Sequence, residues 1–252
     1  MEAFETKSEN VVVIDEQFYI PQLNRTRRIW LYLPHQYHQS HAHYPVIYMQ
    51  DGQNLFDQAT AFGDAWAVDK TLNAMLARCI LVGIDNSEHR LTEYNFHDHE
   101  EHGPGEGSRY IHFVADTLKP FIDANYRTLP GRATTVLAGS SMGALVSLYG
   151  AIHLPQVFGC AGVFSPSLWL VAGHLERLAK DAAANKRLQR FYFYGGAREG
   201  SNMTTHLRRV ATKLGALPNY STRVVIDPNG EHSEYHWRNV FPDFYHWLAT
   251  GW

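Results

Sequence analysis

Three residues could together supply a nucleophile, an orienting acid and a base: Ser141 in "TVLAGSSMGAL", Glu199 in "RFYFYGGAREGSN" and His232 in "PNGEHSEYHW". Gly139, Ser141 and Gly143 make a GxSxG pattern, which is short and also arises at plain turns. A serine hydroxyl is a weak nucleophile, so the pattern carries chemistry only if a base and an acid accompany it. Serine, then acid, then histidine is an order that such a set takes in the chain, and Ser141, Glu199 and His232 follow it. Each has a rival. His236 lies one helical turn beyond His232 against Trp237, where a packing role fits better, and Asp227 competes with Glu199 but ends the last strand instead of the one before it. Ser140, the neighbour of the candidate nucleophile, is expected to tolerate replacement better than Ser141.

The elements that must position these residues can be read from hydrophobic period. Short β-rich runs occur at "VVVIDEQFYI", "RRIWLYLP", "YPVIYMQ", "CILVGID", "TTVLAG", "CAGVFS", "RFYFYGG" and "STRVVID". From the third onward, helical spacing fills the gaps, as in "WAVDKTLNAML", "YIHFVADTLKPFIDANY", "MGALVSLYGAIH", "HLERLAKDAAANKRLQ", "MTTHLRRVATKLGA" and finally "FPDFYHWLATGW". The first runs are joined by polar links too short for a helix, which predicts antiparallel hairpins at one edge. The remainder predicts an α/β fold of three layers: a mainly parallel sheet of about eight strands with helices on both faces. No linker divides the chain, so residues 1–252 read as one domain. The serine then sits where a strand turns sharply into a helix, with glycines removing side chains that would collide there. The helix N-terminus behind it offers free N–H groups to an anionic oxygen, the Met142 amide first among them.

Composition excludes several other functions. The formal charge of -3, from 22 basic against 25 acidic residues, provides no field for gathering nucleic acid. The N-terminal "MEAFETKSENVVVIDEQ" is acidic where an export signal needs a basic patch and a long apolar run, which predicts a cytoplasmic protein. Polar residues interrupt every apolar run well before membrane-spanning length, so no membrane association is expected. Cys79 and Cys160 lie in strand-like apolar runs and read as buried free thiols. The loop "HDHEEH" contains His97, His99 and His102, but its interleaved acids read as a solvated loop and no metal is expected. "GPGEG", from Gly103 to Gly107, lacks the Lys-Ser/Thr of a phosphate loop. No cofactor is implied, and oligomeric state is not readable.

The motifs taken together resemble the Putative esterase family of α/β-hydrolases, which includes enterochelin-type siderophore esterases, feruloyl and acetyl-xylan esterases, esterase-D-like enzymes and mycolyltransferases. The resemblance covers nearly the whole chain and rests on "YPVIYMQDGQNLFD", "GIDNSEHRLTEY", "LKPFIDANYRT", "GSSMGA", "FSPSLW" and "GEHSEYHWRNVFPDFYHWL". It implies an α/β-hydrolase fold and a serine carboxylesterase for small or medium acyl esters, with Ser141 as nucleophile, His232 as base and Glu199 as acid. Two departures stand out: Glu199 occupies a place where many members have Asp, and the histidine loop reads "GEH" where "GGH" is common. Some siderophore esterases work with a Ser–His dyad. An acyltransferase, or a silent hydrolase fold used for binding, is the alternative.

By the same resemblance the Gln53 amide is the second oxyanion donor beside that of Met142, and Gly52 lets the backbone approach substrate closely. On the residues alone, "DGQN" reads as an ordinary tight turn. Asp51, Gly52, Trp66 and Trp169 are the residues the resemblance places against substrate, with Phe62 nearby, which suits an apolar or aromatic ester. Each aromatic could equally pack the core. Arg90, Glu93 and Tyr94 in "HRLTEY" read as a polar framework beside the site.

Overall fold

A computed structural model of the chain describes residues 7–100, 103–200 and 202–252. Its strands are β1 (Val11–Ile20), β2 (Arg25–Tyr32), β3 (Val46–Gln50), β4 (Ile80–Ile84), β5 (Thr135–Ser140), β6 (Cys160–Phe164), β7 (Gln189–Gly196) and β8 (Tyr220–Asp227). They form one eight-stranded sheet in the order β1-β2-β4-β3-β5-β6-β7-β8. Each run read as a strand in the sequence is a strand. β1 pairs antiparallel with β2 across a short link, while β2 pairs antiparallel with β4, which comes after β3 in the chain, so of the expected edge hairpins only β1–β2 forms. Every other neighbouring pair is parallel.

The central strands are apolar throughout because both of their faces are covered. Ile47 and Met49 of β3, Val136 and Ala138 of β5, and Tyr192 and Tyr194 of β7 point into one apolar cluster. Their alternates, Val46 and Tyr48, Leu137, and Phe191 and Phe193, point into the other. The helices are α1 (Val68–Ala74), α2 (Arg90–Glu93), α3 (Gly107–Phe113), α4 (Lys119–Asn125), α5 (Met142–His153), α6 (Leu175–Ala184), α7 (Met203–Gly215) and α8 (Glu234–Ala249). Helices α3 to α7 supply the second cluster, while α1 and α8 supply the first. This is the three-layer α/β-hydrolase fold. Cys79 and Cys160 are free and buried on the α1/α8 side, and burial pushes the Cys160 thiol up to about 12. No helix among the described residues is long and apolar enough to cross a membrane.

One boundary differs from the sequence reading. The sequence pattern places the start of the last helix at Phe241, beside Pro242, yet the helix starts at Glu234 and carries the proline inside. A proline within a helix costs about 3 kcal/mol or more. Trp237, Phe241, Phe244, Tyr245 and Leu248 fall on one helical face, and their joint burial outweighs that cost. The earlier start brings Trp237 to the active edge of the sheet.

Candidate active site

At the junction of β5 and α5, Ser141 has φ 56° and ψ −120°, a conformation that costs a residue with a side chain on the order of 1–3 kcal/mol. Neighbouring contacts enforce it. The Ser141 amide donates to the Phe164 carbonyl at 2.9 Å, and the Ser141 carbonyl accepts from the Ser167 amide at 3.1 Å. A Cβ on Gly139 would lie 2.7 Å from the backbone carbon of Gly143, and one on Gly143 would lie 2.9 Å from Cβ of Gln50. Only two glycines let strand and helix meet this closely.

Glu199 follows β7 and His232 precedes α8, and the fold brings them together. Nδ1 of His232 lies 2.8 Å from Oε2 of Glu199. The Glu199 side chain is fully buried. Its other oxygen, Oε1, accepts from the Gly196 amide and from the Ser165 hydroxyl, each at 2.6 Å. The Ser141 hydroxyl shares a hydrogen bond with that of Ser167, Oγ to Oγ 3.1 Å. Ser141 and His232 line the same cleft.

Two clefts meet at this point, and both are lined by Ser141, His232 and Arg90. One, of about 560 Å³, runs past Leu168, Trp169, Met203 and His206. The other, of about 900 Å³, runs past Gln53, Thr60, Phe62 and Glu234. Trp169 is 63% exposed and Phe62 97% exposed. Burial holds the Glu234 carboxyl above the usual carboxylate range, and the charge of Asp51 adds to the effect.

Arg90 stands at the divide because Asp51 holds it there in a two-pronged ion pair, Nε to Oδ1 2.7 Å and Nη2 to Oδ2 2.8 Å. The Asn86 side-chain Nδ2 donates to Oδ1 of the same carboxylate at 2.7 Å. At the other end of α2, Glu93 is wholly buried and paired with Arg25 and Arg27 of β2, which fixes the helix against the sheet. Asp51 therefore lines a cleft with both oxygens already engaged. Tyr94 is buried under the Arg90 guanidinium.

The amide nitrogens of Met142 and Gln53 have no backbone acceptor among the described residues. Met142 is the first residue of α5, where the helix leaves N–H groups unpaired. Gln53 follows β3, and its side chain and carbonyl are occupied by the Asn86 amide and the Thr60 hydroxyl.

One expectation is corrected. Trp66 does not face substrate: it is 2% exposed, stacks on Trp237 with ring centroids 5.5 Å apart and lines neither cleft. Gly52 is buried just past β3. A Cβ there would lie 2.8 Å from the Ile84 amide nitrogen and 2.9 Å from that of Asp85, so the glycine permits close packing against the end of β4. His97 stacks on His174 at 3.8 Å, while Glu101 and His102 lie outside the described residues.

Ser165 and Ser167 carry no role in the sequence reading, and Trp237 enters it only as the neighbour of His236. The signal for the two serines is positional: "FSPSLW" runs on from the end of β6 at the same carboxyl edge of the sheet that presents Ser141 and Glu199.

The fold and this edge define a protein of the α/β-hydrolase class. The family model described as Putative esterase matches residues 20–246, and the chain belongs to that family. It is similar to the uncharacterized protein YbbA of Bacillus subtilis, 29% identical over 150 residues that cover 57% of this chain and 58% of that protein. It is also similar to an iron(III) salmochelin esterase of Escherichia coli, 34% identical over 128 residues. That match covers 49% of this chain and 28% of the esterase, so the chain spans less than two thirds of either relative. Among solved structures, an IroE-like serine hydrolase of Shewanella oneidensis superposes with a TM-score of 0.76 at 22% identity, over 91% of this chain and 78% of that one.

Proposed function

We propose that this protein is a serine ester hydrolase in which Ser141, His232 and Glu199 act as a triad. The observation that carries the reading is the 2.8 Å contact of His232 with the buried Glu199 carboxylate, in the same cleft as the strained Ser141 turn. With Nδ1–H committed to Glu199, Nε2 of His232 is the free base. The Ser141 hydroxyl leaves Ser167 by a side-chain rotation and gives its proton to Nε2 as Oγ attacks the ester carbonyl carbon. Apo geometries of this kind often tighten only once substrate binds.

The Met142 and Gln53 amides hold the oxyanion, each such donor contributing about 3 kcal/mol to the transition state. Collapse of the tetrahedral species breaks the ester C–O bond, and His232 protonates the departing alcohol. Water then gives a proton to His232 as it attacks the acyl carbon; when the bond from that carbon to Ser141 Oγ breaks, His232 returns the proton to Oγ and the acid leaves. Glu199 stays ionised and stabilises the imidazolium.

The substrate reading is an ester with a bulky group on each side of the carbonyl. Two clefts diverging from Ser141 support it, as do the exposed rings of Trp169 in one and Phe62 beside the other. Siderophore esters fall within this description, and the salmochelin esterase similarity is consistent with them.

The test is fluorophosphonate labelling and nitrophenyl ester hydrolysis with wild type and Ser141→Ala. The variant should lose labelling, and kcat should fall by at least about 10⁴-fold. Labelling or turnover that survives without Ser141 would sink the reading.

A further inference from the structure

We propose that Ser165 and Trp237 are positioning residues that hold the Glu199–His232 pair through one closed ring of contacts; this rests on the triad reading above. The indole Nε1–H of Trp237 donates to Ser165 Oγ at 2.9 Å, and the Ser165 hydroxyl donates to Glu199 Oε1 at 2.6 Å. Glu199 Oε2 then meets His232 Nδ1 at 2.8 Å. The ring closes where the His232 imidazole packs edge-on against the Trp237 ring, centroids 4.9 Å apart and planes at 85°. One buried indole thus braces the acid through its N–H and the base through its ring.

The backbone indicates that the Ser165 hydroxyl matters. Ser165 is fully buried with φ 47°, a left-handed conformation that glycine adopts at less cost. Its hydroxyl has one proton to give and lone pairs to receive. Accepting from Trp237 leaves that proton directed at Glu199, so the indole fixes the direction of the relay. Trp66, stacked on Trp237, helps hold the indole in place.

The titratable and charged groups in this corner are His232, Glu234 at the start of α8, Arg90 of α2, His206 of α7, and Tyr194 and Asp227 at the strand ends. None of these donates to Glu199 Oε1 in place of Ser165. Removing the donor leaves the carboxylate charge less dispersed, so the Glu199–His232 pair takes up a proton more readily as a unit. The acid limb of kcat/KM then moves to higher pH.

The test uses Ser165→Gly, which removes the hydroxyl and suits the left-handed backbone, and Trp237→Phe, which keeps a ring but removes the N–H. Each is compared with Glu199→Ala and Ser141→Ala on nitrophenyl esters across pH. Both relay variants should lose roughly tenfold in kcat, as expected for a hydrogen bond to a charged group, with KM within about twofold. Their acid limbs should shift upward, and the double variant should be little worse than the poorer single one. A Ser165→Gly enzyme with wild-type kcat overturns the proposal, as does a lower kcat with an unmoved acid limb. If instead Glu199→Ala retains activity, the triad reading fails as well.

Discussion

Asp227 lies 3.7 Å from Nδ1 of His236, so the acid and the imidazole that rival Glu199 and His232 on sequence grounds face one another. Asp227 also accepts from the Tyr194 hydroxyl at 3.4 Å. Glu199→Ala should therefore lower kcat by on the order of 10³- to 10⁴-fold, whereas Asp227→Ala should cost little more than stability. Steady-state kinetics of the two purified variants decide it, and greater damage from Asp227→Ala would reverse the assignment.

The strain at Ser141 sets stability against chemistry. Glycine adopts φ 56° without a Cβ penalty, so Ser141→Gly should abolish turnover while raising stability by about 1 kcal/mol. Thermal melting of the inactive variant provides the check. A lower melting temperature would mean that the serine side chain contributes more to the native packing than its backbone costs.

Trp66 and Trp169 should separate core from cleft. Truncating the buried Trp66 to alanine removes its packing on Trp237, Phe164 and Phe241 and should cost about 3–5 kcal/mol. Trp169→Ala should change stability by less than about 0.5 kcal/mol while raising KM for aryl esters several-fold. Denaturant unfolding and ester kinetics on the same samples read both effects. Equal KM for aryl and alkyl esters in Trp169→Ala and wild type would remove Trp169 from the substrate cleft.

Acid should weaken the His97 corner. Burial pushes the His97 imidazole down to about 4, with His174, Arg177 and His153 adding to the effect and Asp181 opposing it. Its ordinary value is 6.5, so between these two values the unfolded chain binds the proton that the folded chain refuses. Stability is thus lost as pH falls from about 6.5, and the loss is complete near 4. His97→Gln should show a smaller drop in melting temperature than wild type between about pH 7.5 and pH 4.5. An equal drop would show that other groups dominate.

The strand runs were legible because both faces of the central sheet are covered, which writes burial into the sequence as unbroken apolar stretches. The turn at Ser141 was legible for a similar reason, since close approach at Gly139 and Gly143 leaves a local glycine signature. The onset of α8 was not legible. Pro242 is a local signal against helix, and it is overruled by an aromatic face whose partners lie elsewhere in the chain.

Sequence by itself determined the eight strands, their alternation with helices, and the positions of Ser141, Glu199 and His232 just beyond the strands or before the helix that present them. Local conformational preference and hydrophobic period are properties of neighbouring residues, so a linear reading reaches them. Only the tertiary structure decided that Glu199 and not Asp227 meets His232, that Trp66 is core while Trp169 is exposed, and that Ser165 joins Trp237 to the acid across 72 positions. Those outcomes depend on where side chains from distant strands converge at one sheet edge, and residue type at a single position does not encode that distance.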